Sequence, residues 1–221
     1  VNMYGLKDNV ARKAGTMGKE ENKEMEFWTQ EEFQAFLECV ADKPISYYAF
    51  EILYWTGIRE GELLALTPAD FNFEKKTLRI NKSYQRLEGK DVITDPKTPK
   101  SNRTIVMPDF LAVEMEDFIK SLYGIRDDDR IFTISKSYLH HEMDRGAKLA
   151  GAKRIRIHGL RHSHISLLTN LGFSALAIGE RVGHEAVDIT YHYAHLFPTV
   201  QTDMAAQLET EREALVNVRK E

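Results

Sequence analysis

The sequence is almost without cysteine: Cys39 is the single one among 221 residues. It cannot close an internal disulfide, and a metal cage built from cysteine thiolates is excluded. Long apolar runs are also missing, and no stretch approaches the roughly 20 residues of a membrane-crossing helix. The first twenty residues carry Lys7, Lys13 and Lys19 without an apolar stretch and do not read as a secretory leader. These absences point to the cytoplasm. A basic excess is lacking as well. The net charge is −4, which argues against a globally basic nucleic-acid binder. No internal repeat or low-complexity segment is visible.

What is present is the composition of a folded domain, with 43% hydrophobic and 29% charged residues. The charge is unevenly spread. Between Lys75 and Arg103 nine Lys and Arg stand against Glu88, Asp91 and Asp95, and between Arg145 and Arg161 six basic residues meet no acid. A polyanion responds to such local fields rather than to the average, although a solvated charged face would look the same. The first residue is Val1 rather than methionine, so the chain is expected to be a piece of a longer one.

Residues 1–27 lack apolar periodicity and are expected to form a linker, with one domain over 28–221. Thr29 and Glu32 form a capping box ahead of Phe33, Phe36, Leu37 and Val40, which repeat at helical spacing. Pro44 opens a second helix with Ile45, Tyr48, Ala49 and Ile52 inward, closed by Thr56-Gly57, and a short helix over 59–66 stops before Pro68. Short β-type runs follow at Thr77–Ile80, Lys82–Leu87 and Arg103–Val106, around a loop from Glu88 to Asn102. Helical spacing returns with Leu111, Met115, Phe118, Ile119 and Leu122. Further helices are expected over 137–150 and in short pieces from Gly159 onward. The expected fold is α+β, mainly helical, with a small antiparallel three-stranded sheet.

The chemistry-bearing residues come in five groups. His158 and Arg161, three apart in Ile157-His158-Gly159-Leu160-Arg161-His162-Ser163-His164, project to one side of a helix start, where an anion is favoured. His158 and His162 also have the i, i+4 spacing of metal ligands, but there is no HExxH motif and no third ligand in sight. Gly183-His184 precedes Tyr191-His192-Tyr193-Ala194-His195. A tyrosine with a pKa near ~10 needs a base or a positive site to act as a nucleophile. Upstream, Arg59 follows a glycine helix break, with Glu62 placed to hold its guanidinium. Lys97 and Lys100 lie in a proline-bearing loop, Asp95-Pro96-Lys97-Thr98-Pro99-Lys100-Ser101-Asn102-Arg103. Tyr47, Tyr48, Tyr54 and Trp55 are assigned to packing, and His162 and His164 to structural roles.

Taken in order, Gly-Ile-Arg-x-Gly-Glu-Leu, a lysine-bearing hairpin, His-Gly-Leu-Arg-His-Ser-His, Gly-His and Tyr-Ala-His-Leu resemble the tyrosine recombinases, the lambda-type phage integrase family. The resemblance covers about residues 27–197 and is nearest to integrases of conjugative transposons and phages of Gram-positive hosts. It implies a catalytic domain that cleaves and rejoins DNA at specific sites through a 3′-phosphotyrosyl intermediate, without metal, ATP or other cofactor. Arg59 and Arg161 would clamp the non-bridging phosphate oxygens, and His158 and His184 would hydrogen-bond the phosphate and assist proton movement. Lys97 would protonate the departing 5′ oxygen, and Tyr193 would attack. The His184–Tyr193 spacing of nine favours Tyr193 over Tyr191, and the Pro-Lys-Thr match favours Lys97 over Lys100. The implied partners are double-stranded attachment-site DNA and further copies of the chain, in a tetramer that exchanges carboxy-terminal tails. The family's amino-terminal DNA-binding domains are expected to lie outside this sequence. A topoisomerase of the same chemistry, a non-catalytic DNA-binding regulator and a metal hydrolase are the competing readings.

Overall fold

The structure is a computed structural model in which residues 26–95 and 101–183 are described, together with the single positions 208 and 210. Its first helix, α1 (Gln30–Val40), starts where the sequence signals it. Thr29 Oγ1 accepts from the Glu32 amide, and a Glu32 carboxylate oxygen accepts from the Thr29 amide at 2.8 Å. The apolar stripe Phe33, Phe36, Leu37 and Val40 is fully buried. Helix α2 (Pro44–Thr56) begins with proline, whose missing N–H costs nothing in a first turn, and ends on Gly57. It is buried on most of its faces, and Phe33 stacks on Tyr54 with ring centroids 3.8 Å apart. Phe36 meets Phe50 edge to face at 4.8 Å, so the two helices share an aromatic core that excludes water over a wide area.

After the four-residue helix α3 (Glu60–Leu63) and a 3-10 turn at Pro68–Asp70, the chain turns to strands. Strands β1 (Phe71–Asn72), β2 (Thr77–Ile80) and β5 (Arg103–Val106) form an antiparallel sheet in the order β1-β2-β5, with Leu78 opposite Ile105 and Ile80 opposite Arg103. Strands β3 (Ser83–Leu87) and β4 (Lys90–Thr94) pair as a separate two-stranded hairpin. Two expectations need correction here. The 82–87 run does not belong to the three-stranded sheet, whose third member is Phe71–Asn72. The segment 88–102 is not all loop either, because Glu88 and Gly89, both with positive φ, make a two-residue hairpin turn. The hairpin is fastened by Arg130, whose guanidinium lies 4.1 Å from the Tyr84 ring centroid and donates to Asp91.

Helices α4 (Asp109–Ser121), α5 (Lys136–Ala150), α6 (Ile157–Asn170) and α7 (Ala175–Val182) complete the described residues. α5 packs on α1, α4 and α6 pack on α2, and α7 packs on α6 and β5. Trp28 is buried and its amide donates to Ser163 Oγ at 2.8 Å, joining the start of the domain to α6. This layout brings the start of α3, the start of α6 and the end of α7 around the carboxyl end of α2. No helix among the described residues is long and apolar enough to cross a membrane.

Candidate active site

The site is built on the end of α2. Gly57 ends that helix with φ +65°, a left-handed conformation that costs a residue with a Cβ about 1–2 kcal/mol. A Cβ there would also stand 2.6 Å from Cδ2 of His164. The glycine thus lets the chain leave α2 against the body of α6 and present Arg59 two residues later.

Arg59 is the residue before α3, and Glu62 fixes it from the third position of that helix. One carboxylate oxygen accepts from the Arg59 amide at 2.8 Å, and the other from its Nη1 at 2.9 Å. Nη2 of Arg59 reaches the Gly183 carbonyl at 3.3 Å. Glu62 is itself buried and also accepts from both terminal guanidinium nitrogens of Arg103, Nη1 at 3.1 Å and Nη2 at 2.9 Å. Burial alone would raise the Glu62 carboxyl. The Arg103 hydrogen bonds and charge, with those of Arg59, more than reverse this, so its pKa lies below the ordinary value. Two guanidinium groups share one carboxylate, which leaves an excess positive charge at this spot.

Arg161 and His158 lie in the first turns of α6, as their spacing requires, but at different depths. Arg161 is only 1% exposed and donates from Nη1 to the Gly57 carbonyl at 2.7 Å. His158 reaches solvent, and its ring meets His162 edge to face at 4.8 Å. Partial loss of hydration lowers the His158 pKa, and the charges of Arg161 and Arg59 lower it further. Arg161 holds the carbonyl of Gly57, two residues before Arg59, and His158 lies one turn before Arg161 on α6, so the three predicted residues among those described converge. They do so at the positive end of the α6 dipole, a place suited to a phosphate. Among the described residues no three His, Cys, Asp or Glu side chains gather as a metal site.

Beneath this group His164 is buried, and its Nε2 accepts from Arg181 Nε at 3.0 Å, which places the ring proton on Nδ1. Burial first, and the Arg181 charge second, push its pKa down to about 3. The neutral ring is therefore a structural acceptor, the role expected of it. Lys97, Lys100, His184, Tyr191 and Tyr193 lie outside the described residues. Arg103 and Arg181 carry no role in the sequence motifs. For Arg103 a signal existed: alternation along β5 puts it on the same inward face as Ile105, and a charge on a core-facing position needs a buried partner.

This fold is that of the tyrosine recombinase catalytic domain. A Tn1549 transposon integrase solved in complex with a circular intermediate DNA superposes with a TM-score of 0.71 at 23% identity, covering 85% of this chain and 67% of that one. The catalytic domain of bacteriophage HP1 integrase matches at a TM-score of 0.58 and 19% identity, over 83% of this chain and 95% of that one. The phage integrase family model matches residues 26–199, and the chain belongs to that family. The ICEBs1 integrase of Bacillus subtilis is 32% identical over 217 residues, 91% of this chain and 58% of the relative. A XerC-like tyrosine recombinase of Caldanaerobacter subterraneus is 26% identical over 88% of this chain and 56% of the relative. The chain thus spans somewhat more than half the length of these two relatives.

Proposed function

We propose that the chain is the catalytic part of a site-specific recombinase, an integrase that moves a mobile element by cutting and rejoining DNA. The observation that carries this reading is the meeting of Arg59, at the start of α3, with Arg161 and His158, at the start of α6, through the Gly57 carbonyl, with Glu62 fixing the first arginine, in a chain of the phage integrase family. A phosphodiester under attack passes through a pentavalent state with added negative charge. Fixed guanidinium groups stabilise that state more than the ground state, which is the requirement for catalysis.

In the proposed cycle the Tyr193 oxygen attacks the phosphorus, its proton leaving with help from the histidines. The bond from phosphorus to the 5′ oxygen breaks, and Lys97 supplies the proton that oxygen needs. The 3′ phosphate stays on Tyr193 as an ester, so the reverse attack by a 5′ hydroxyl reseals a strand without further energy. His184 is assigned a phosphate contact, residues 28–221 the catalytic domain, and residues 1–27 a linker. Attachment-site DNA, a tetramer with exchanged tails and action in the cytoplasm are part of the same proposal; the DNA partner is supported by the Tn1549 integrase solved with a circular intermediate DNA.

The test is a nicked suicide duplex carrying the element's attachment site. The expected result is a covalent protein–DNA adduct that maps to Tyr193 and is lost in Tyr193→Phe, with DNA affinity little changed because most contacts are to the phosphate backbone. An adduct that persists in this variant or maps to Tyr191 overturns the assignment. A substrate with two sites yields recombinant products for an integrase and only relaxed ones for a topoisomerase.

A further inference from the structure

Arg103 stands behind the site rather than in it, and its contacts are more numerous than a packing role needs. Its side chain is 6% exposed, as is that of Glu62, whereas 37% of Arg59 remains in solvent. The three therefore form a row from the interior outward: Arg103, Glu62, Arg59. Each Glu62 oxygen is shared by the two arginines. Oε1 accepts from Nη1 of both, and Oε2 accepts from the Arg59 amide and from Arg103 Nη2.

The remaining donors of Arg103 tie down neighbouring chain. Nε donates to the Arg181 carbonyl at 2.9 Å, and Nη1 also reaches the Ser101 carbonyl at 3.2 Å. The Arg181 carbonyl is in the last turn of α7, where a positive charge satisfies helix-end acceptors. Gly183 caps that helix with φ +71°, and a Cβ on it would stand 3.0 Å from Arg103 Nη1. Its carbonyl is the one that holds Arg59 Nη2. Both anchors of the Arg59 side chain, the Glu62 carboxylate and the Gly183 carbonyl, are thus set by the same buried guanidinium.

We propose that Arg103 is a positioning residue for strand cleavage: it clasps Glu62 to the end of α7 and so fixes where the Arg59 guanidinium stands. The proposal rests on the reading of Arg59 as a phosphate-binding arginine. It extends the site to a buried residue whose guanidinium is engaged by protein groups. A lysine at 103 keeps the charge but not the planar fork, so it cannot serve Glu62 and the α7 carbonyl together.

The experiment is a double-mutant cycle on single-turnover cleavage of the nicked duplex at saturating DNA, using Arg103→Ala, Arg59→Ala and both together. Arg103→Ala is expected to slow cleavage by about 30–100-fold with Arg59 present and by less than about threefold with Arg59→Ala, since the effect passes through that residue. Affinity for the duplex should stay within about threefold, because no phosphate contact is removed. If Arg103→Ala loses its cooperative melt, Arg103→Lys takes its place in the cycle, with a smaller loss of about tenfold that again vanishes without Arg59. Equal losses in both backgrounds would show a merely structural residue and overturn the proposal while leaving the function intact. A wild-type chain that forms no adduct overturns the reading of the function, and this proposal with it.

Discussion

Arg161 donates to the carbonyl of Gly57 across a span of 104 residues, at 2.7 Å, with the arginine almost wholly buried. One hydrogen bond joins the start of α6 to the turn that delivers Arg59. The two arginines of the site are therefore not independent: the backbone that positions one is held by the side chain of the other.

Gly57→Ala tests that junction. The left-handed φ and the 2.6 Å approach to His164 both oppose a Cβ, and together they should cost roughly 2–4 kcal/mol. For a domain of this size that lowers the melting temperature by about 5–15 °C. Calorimetry of the variant checks it, and a melting temperature equal to wild type would mean that α6 yields without cost.

For the arginine and the lysine, substrate chemistry separates the roles. Arg59→Ala should slow cleavage by roughly 10²–10³, the usual loss for one donor at a developing charge. Arg59→Lys should remain slow because the fork is lost. With sulfur in place of the bridging 5′ oxygen, Lys97→Ala should recover much of its rate, since a thiolate leaves without a proton. Arg59→Ala should gain far less. Similar rescue of both variants, or rescue of Lys100→Ala instead, would reject Lys97 as the proton donor.

His158 offers a test that needs no DNA. Partial burial, Arg161 and Arg59 all hold its pKa below the ordinary value. Removing one positive neighbour in Arg59→Ala should raise that pKa. An NMR titration of the imidazole protons reads it directly, and a lower or unchanged pKa in the variant would mean that the two side chains are not close in solution.

Glu51 should shape the pH dependence of stability. Burial first, then the charge of Glu114, pushes its pKa up to about 7. A carboxyl raised on folding stabilises most below its unfolded pKa and loses that contribution as pH climbs through the folded value. The loss falls between about pH 4.5 and 7 and reaches up to ~3 kcal/mol. Buried carboxylates held low by arginine, such as Glu62, slope the opposite way, so the comparison must be with Glu51→Gln. That variant should be more stable than wild type above pH 7, with the difference disappearing near pH 4. Parallel stability curves for the two proteins would count against an ionised, buried Glu51.

Much of the helical framework could be read from local pattern. Thr29 with Glu32, Pro44 with Gly57, and the 3.6-residue stripes give helix starts, ends and buried faces because those signals act within one or two turns. The strands were harder. Gly89 looks like a break in a loop until Lys90–Thr94 is seen to pair with Ser83–Leu87, since pairing is decided by the partner strand and not by the run itself. Of the candidate site, Arg59, His158 and Arg161 stand out through motif order, and Glu62 through its spacing from Arg59. Arg103 shows in the sequence only as a charge on an inward strand position, because its carboxylate partner lies 41 residues away, beyond any local spacing rule.

By itself the sequence determined the kind of chemistry: which side chains carry charge, which helix starts can face an anion, and where glycine must end a helix. These follow from residue type and short-range geometry, and they need no fold. Tertiary structure decided depth and connection. It buried Arg161 while leaving His158 in reach of solvent, put one carboxylate between two arginines, and laid the end of α7 across both. Burial and long-range partners set the strength of a charge, because hydration is lost only where distant segments close around it.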